Sequence, residues 1–195
     1  MNIFAMDTST LTATVAVLSD EKLLGEFSVS NKLTHSVTIM PMTDSLLKSA
    51  SLALNDIDVF AVSVGPGSFT GLRIGLSTVK AMALANNKPC VGVSSLYALV
   101  LNTDKSDKTV CACMDARRGG VYNAIFDVKN GKIIRKTQDR AVYVEDLIAQ
   151  LRNLNNVVQF VGDGGVICYN SMATDCGCEN ICLIGEKDMY IKSSN

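Results

Sequence analysis

The chain has no tryptophan, three prolines and a single histidine in 195 residues. With only His35, an H-E-x-x-H zinc helix is excluded, because it needs two imidazoles on one face. A Ser/His/Asp triad would have to be built around that one ring. No apolar run approaches the roughly 18 residues that span a bilayer, so no membrane contact is expected. The net charge of −1 supplies no basic field for nucleic acid, so any RNA contact requires a local patch or a partner. The N-terminal MNIFAMDTST has neither the basic segment nor the apolar core of a secretion signal, and a cytoplasmic protein is expected. In that compartment the seven cysteines read as reduced thiols.

What is present is the balance of a folded chain, 48% hydrophobic and 19% charged. The length admits one large domain or two small ones. The stretch Val59–Lys80 organises the rest. VFAVSVG is a continuous apolar run, the pattern of a buried strand. It breaks at Gly65-Pro66-Gly67, and helix formers follow from Thr70, with small residues at Gly71 and Gly75. The spacing predicts strand, tight loop and helix (70–86).

Before it, Ile3–Met6, Thr12–Leu18 and Leu23–Val29 read as an antiparallel meander. A helix over 35–50 follows, its stripe Ile39, Met42, Leu46 widened by Met40 and Leu47. Pro41 predicts a kink or a second start. After the central stretch, Pro89–Val93 reads as a strand and 94–100 as a short helix. Polar Asn102–Lys108 reads as a linker between lobes 1–101 and 109–195.

Beyond the linker the order repeats: strand Thr109–Met114, strand Val121–Val128, an Asn-Gly turn, strand Ile133–Lys136, helix Val144–Leu154, strand Val157–Val161, glycine loop. This order predicts two mixed-sheet α/β lobes, and it resembles that of the ribonuclease-H-like lobes paired in actin-like ATPases. Past Gly165 the signal fades, and no amphipathic helix is expected.

The chemistry-bearing residues admit two readings each. The loop lacks the lysine of a Walker motif, and Thr70 breaks the dinucleotide fingerprint. A helix N-terminus with Gly65, Gly67 and Ser68 beside Asp7, Thr8 and Ser9 could still receive phosphate, with Asp7 and Asp163 sharing Mg²⁺. The competing reading is that the glycines serve a turn and a close helix crossing, while Asp7 and Asp115 cap strand ends. No nearby lysine or glutamate completes a catalytic set, which favours the second. Asp115, Arg117 and Arg118 read as a hairpin turn or an interlobe ion pair, with phosphate binding as the alternative. Cys111 and Cys113 share a strand face, and Cys168, Cys176, Cys178 and Cys182 crowd the C-terminus. Their spacing is not that of paired zinc knuckles, and no metal is expected.

Gly65-Pro66-Gly67-Ser68-Phe69-Thr70-Gly71-Leu72-Arg73-Ile74-Gly75 resembles the hallmark of the TsaB family, formerly called YeaZ. Met6-Asp7-Thr8-Ser9, the His35-Ser36 helix start with Pro41 and Leu46-Leu47, and Met114-Asp115-Ala116-Arg117-Arg118-Gly119 match in order, over about residues 1 to 165. The resemblance implies the two-lobe ASKHA fold and a non-catalytic paralogue of TsaD, the transferase that threonylcarbamoylates the tRNA adenosine beside the anticodon. It implies a platform with no activity alone, pairing with a TsaD-like protein through N-lobe helices, joined by a TsaE-like ATPase, and contacting tRNA only through the complex. A homodimer through similar helices is also implied, as is ATP, ADP or Mg only within the complex. Partner-facing candidates are His35, Ile39, Met42, Thr43, Leu46, Gly71, Leu72, Gly75, Leu76, Val79 and Met82. Rival readings are an active ASKHA kinase or nucleotide hydrolase using Asp7 and Asp163, and a peptidase. Family members carry an acidic residue where Gly120 stands and end in an added helix and a Pro-x-Tyr-hydrophobic-Arg tail. Here the end is Asp188-Met189-Tyr190-Ile191-Lys192, which predicts a truncated or rearranged second lobe.

Overall fold

A computed structural model describes residues 1–30, 33–152, 154, 156–176, 180–185 and 188–194. The chain separates into two compact units, Met1–Ser95 with Ile191–Asn195, and Leu96–Tyr190. The division falls ahead of the polar stretch 102–108, whose last residue, Lys108, is buried at the start of a strand.

In the first unit, β1 (Asn2–Asp7), β2 (Thr12–Ser19) and β3 (Lys22–Ser30) form the antiparallel meander. Helix α1 (His35–Ser49) leads to β4 (Val59–Gly65), which pairs parallel to β1. Helix α2 (Phe69–Ala85) then leads to β5 (Cys90–Ser94). The sheet order is β3-β2-β1-β4-β5. The strand period of two puts Phe4, Met6, Val15, Val17, Phe60 and Val62 on one face. That face takes Ile39, Met42, Leu46 and Leu47 of α1 and Val79, Met82 and Ala83 of α2 into a single core. On the opposite face the chain end crosses β2 and β3. Thr14 Oγ1 and Ser193 Oγ are hydrogen-bonded, and Ser194 donates to Glu26.

Helix α1 runs through Pro41 without a second start. The amide that Pro41 lacks would have bonded the Val37 carbonyl, and both residues are on the solvent side, where water can satisfy that oxygen. Met40 also points outward, at 48% exposure, and does not widen the core stripe as its position beside Ile39 suggested.

The second unit opens with helix α3 (Ser95–Val100), then β6 (Lys108–Arg117), β7 (Gly120–Lys129) and β8 (Lys132–Arg135). Helix α4 (Val144–Leu151) precedes β10 (Val158–Val161). A strand that the sequence did not announce, β9 (Arg140–Tyr143), pairs with the first half of β7 while β8 pairs with the second half. The polar Thr137-Gln138-Asp139 between them reads as loop, and Thr137 Oγ1 holds the Ile125 amide at the break.

Two corrections concern the C-terminal part. Helix α5 spans Asp163–Cys176, where no helix was expected, and β11 (Ile181–Leu183) follows it. The helix carries little apolar periodicity because its inward positions are Gly164, Cys168 and Met172, small or sulfur-bearing residues that hydropathy patterning underweights. The sheet of this unit is therefore not truncated. Read in reverse, the path β11-β10-β6-β7-β8 of its six-stranded sheet repeats the order of the first unit, with β9 added beside β7.

Leu46 is fully buried in the first core. Leu46→Ala should lower the stability of this unit by about 2–5 kcal/mol in urea unfolding followed by circular dichroism, whereas exposed Val37→Ala should change it by less than about 0.5 kcal/mol.

Candidate functional site

The glycine loop of Gly65–Gly75 meets the end of β1. Ser68 N–H donates to the Ser9 carbonyl at 2.7 Å, and Ser68 Oγ accepts the Gly71 amide at 3.2 Å as the cap of α2. Thr8 Oγ1 donates to the Gly71 carbonyl at 2.8 Å. The glycines are required by this approach. A Cβ on Gly71 would lie 2.0 Å from the Thr8 carbonyl oxygen, one on Gly75 would lie 2.3 Å from Thr8 Oγ1, and one on Gly67 would lie 2.5 Å from the Ser9 carbonyl oxygen. Gly71 and Gly75 therefore face inward onto β1. They do not face a partner, as their place among the partner-facing candidates implied, but serve the close helix crossing.

Asp7, Thr8 and Ser9 are all buried. Asp7 Oδ1 accepts the Ser9 amide at 3.3 Å, while Oδ2 and Ser9 Oγ have no partner among the described residues. Burial pushes the Asp7 carboxyl up from its ordinary 3.8 and outweighs the opposing pull of nearby polar groups, the Ser9 amide among them. His35 Nε2 pairs with the Thr10 carbonyl at 2.8 Å, so the one imidazole ties the start of α1 to the β1–β2 turn.

Two of the donors that an anion would use at this helix head are taken within the chain. The amides of Ser68 and Gly71 at the head of α2 are already bonded by the chain's own Ser9 carbonyl and Ser68 hydroxyl. Asp7 is enclosed where its charge is disfavoured. Among the described residues no three His, Cys, Asp or Glu side chains are grouped to hold a metal ion.

Asp163 belongs to the second unit and has a mechanical role there. Its Oδ1 accepts the Asp115 amide at 3.1 Å and the Gly164 amide at 2.8 Å, fastening the end of β6 to the start of α5. Gly162 and Gly164 repeat the close approach seen in the first unit. Cβ atoms there would lie 2.2 Å from the Cys113 carbonyl oxygen and 2.7 Å from the Met114 carbonyl carbon. Asp115, Arg117 and Arg118 form the β6–β7 turn. Asp115 Oδ1 accepts the Arg117 amide at 2.7 Å, and Arg117 and Arg118 have φ of 65° and 54°. Both guanidinium groups are on exposed residues, and among the described residues neither is ion-paired.

The other partner candidates divide by burial. Ile39, Met42, Thr43, Leu46, Val79 and Met82 are core residues and present no surface, because helical spacing aimed them at the sheet. His35, Leu72 and Leu76 are half-buried. The exposed apolar side chains on these helices are absent from the partner-facing candidates: Val37 at 60% and Met40, which the helical pattern assigned to the core stripe, on α1, and Phe69 at 69% and Leu84 at 83% on α2. Their signal was an apolar residue off the core stripe. Arg73 stacks over the Phe69 ring at 3.8 Å, holding that ring on the surface. In the tail group, Cys178 and the Cys176 side chain lie outside the described residues, and Cys168 sits in the core.

Two outcomes test this geometry. Gly75→Ala should destabilise by about 1–3 kcal/mol, and adding Thr8→Ala should recover part of that cost, since the clash is with a side chain. Gly71→Ala should not be recovered, since its clash is with backbone; melting of the four variants checks this. Asp7→Asn should raise the unfolding midpoint at pH 8. Because the folded carboxyl is raised, the native state takes up a proton above 3.8, so the gain should shrink as pH falls and vanish below about 3.8.

The chain matches the family described as TsaD, tRNA N6-adenosine threonylcarbamoyltransferase, over residues 23–187. It is 36% identical over 162 residues to the tRNA threonylcarbamoyladenosine biosynthesis protein TsaB of Bacillus subtilis, covering 83% of this chain and 71% of the relative. Among solved structures, YeaZ from Pseudomonas aeruginosa superposes with a TM-score of 0.79 at 23% identity, over 99% of this chain and 87% of that one. Component A of the Acidaminococcus fermentans (R)-2-hydroxyglutaryl-CoA dehydratase shares the fold with a TM-score of 0.54 at 10% identity, over 100% and 96% of the two chains. The fold is of the actin-like ATPase class, with its lobe topology present twice. With the glycine motif packed on Met6-Asp7-Thr8-Ser9 and this identity spread over most of its length, the chain belongs to the TsaB (YeaZ) family of tRNA threonylcarbamoyladenosine biosynthesis proteins.

Proposed function

We propose that the chain serves tRNA threonylcarbamoyladenosine biosynthesis as a non-catalytic subunit that docks a TsaD-type transferase, with a TsaE-type ATPase joining the assembly. The observation that carries this reading is the division of labour on α1 and α2. Their inner faces are consumed by the core, and their outer faces carry Val37, Met40, Phe69 and Leu84 in water. An apolar side chain held on a helix surface loses nothing locally by becoming buried against a partner, and about 25 cal/mol is gained per Å² removed from water. The non-catalytic half of the reading is supported by the site itself. Two amides at the head of α2 are taken by the Ser9 carbonyl and the Ser68 hydroxyl, and the lone histidine is engaged by a backbone carbonyl.

The docking face is then made by the outward residues together with half-buried Leu72 and Leu76, and a second copy of the chain can compete for the same surface. Nucleotide enters this scheme, if anywhere, on a partner.

The test is co-purification of the full chain with a TsaD-type protein. Val37→Glu combined with Met40→Glu, and separately Phe69→Glu, should reduce recovery of the partner at least tenfold while leaving the melting midpoint within a few degrees. Unchanged recovery would remove these helices from the interface. Titration with ATP should give no binding heat for the isolated chain; tight binding that disappears in Asp7→Ala would instead favour the kinase reading.

A further inference from the structure

Cys111, Cys113 and Cys168 are fully buried in the core of the second unit, and nothing in the proposed role uses them. Cys111 Sγ is 3.6 Å from Cys113 Sγ, and Cys113 Sγ is 3.8 Å from Cys168 Sγ. The second contact joins different elements, β6 and α5. It follows from the glycine seat described above. Gly164 brings the α5 backbone onto β6 at Met114, and Cys168 is one helical turn further along the same face.

A buried polar row reaches the same sulfurs. Asn123 is fully buried opposite Cys113 on β7. Its Nδ2 lies 3.2 Å from Cys111 Sγ and 3.5 Å from Cys113 Sγ, and donates to the Ala112 carbonyl. Its Oδ1 accepts from Arg140 on β9 at 3.2 Å. A cationic guanidinium thus polarises an amide whose nitrogen lies within reach of both Cys111 Sγ and Cys113 Sγ. That favours negative charge on these sulfurs, whereas burial pushes the Cys113 thiol up.

We propose that Cys113 and Cys168 are a latent redox pair that closes to a disulfide, fastening α5 to β6, when the protein meets a hydroperoxide. In the first step the Cys113 thiolate attacks one oxygen of hydrogen peroxide and the O–O bond breaks. The sulfur becomes a sulfenic acid, and the departing hydroxide leaves as water with the proton that Cys113 gave up. In the second step the Cys168 sulfur attacks the sulfenic sulfur. The S–S bond forms, and the sulfenic oxygen leaves as a second water with the Cys168 proton. Two thiols have then lost two electrons, and one peroxide has become two waters. The sulfurs must close from 3.8 Å to a bond of about 2.05 Å, a change that side-chain rotation can supply when the backbones are already in contact. Cys111 is the poorer partner for Cys113. Residues two apart on an extended strand have Cα atoms roughly 6.5–7 Å apart, at or beyond the disulfide limit. Because the pair is enclosed, oxidation waits on opening of α5, so exposed Cys90 reacts first.

The test uses the full chain as purified, and its Cys90→Ala variant, each treated with hydrogen peroxide, alkylated, digested and sequenced by tandem mass spectrometry. A Cys113–Cys168 linkage is expected in both and in Cys111→Ala, and none in Cys113→Ala or Cys168→Ala. The oxidised Cys90→Ala protein should melt several degrees higher, and dithiothreitol should reverse this. Asn123→Leu, which removes the amide, should slow bond formation several-fold. Linkage of Cys113 to Cys111, or full retention of both thiols after Cys90 has been consumed, would overturn the proposal. If Cys168→Ala fails to fold, the Cys111→Ala result and the sequenced linkage in the parent chain decide.

Discussion

The tight seat of a helix N-terminus on the end of the first strand is the constraint on which both units depend. In the first unit the Thr8 carbonyl and hydroxyl touch the α2 backbone at positions where only hydrogen fits. In the second, Cys113 and Met114 touch the start of α5 in the same way, and Asp163 bolts the junction by accepting amides from both sides. Each contact joins the end of a central strand, β1 or β6, to the helix that follows its parallel neighbour, β4 or β10. A shift there would move the helix along the sheet and unseat the core beneath it.

The same seat accounts for the character of the candidate site. The glycine-rich turn has the outline of a phosphate loop, but the Ser68 and Gly71 amides at its helix head are bonded within the chain. Ser9 supplies the oxygen that a phosphate would have supplied, and Ser68 caps the helix it begins. Asp7, enclosed beside them, is held where its neutral form is favoured. The outside of α1 and α2 also carries exposed apolar side chains that stand off the core stripe. The proposed docking role therefore uses the surface that packing left over, and the thiol pair in the second unit lies beneath a helix placed by the same kind of seat.

Much of the architecture was readable from residue order. The meander, the helix at His35, the buried run before Gly65 and the repetition after Asn102 follow from periods of 2 and 3.6 and from glycine and Asn-Gly punctuation. The family was readable as well, since an eleven-residue glycine motif is too specific to arise from packing preference alone. Helix α5 and strand β9 were not readable. The first hides its inward face in glycine and cysteine, and the second is four residues set behind a polar break. The candidate site was legible as a list and illegible as an arrangement: Asp7, Thr8, Ser9 and Ser68 do meet, Asp163 serves its own unit, and the apolar stripes chosen for a partner proved to be core.

Local chemistry along the chain thus determined which segments become strands and helices and where backbone must turn, because propensity and periodicity act over a few residues. Which way Gly71 and Gly75 face, whether Ser9 fills the helix head, and that Cys168 rests on Cys113 were decided only by tertiary structure. Those outcomes depend on distances between residues 55 to 67 positions apart in sequence, fixed by strand pairing and helix seating, to which no local pattern is sensitive.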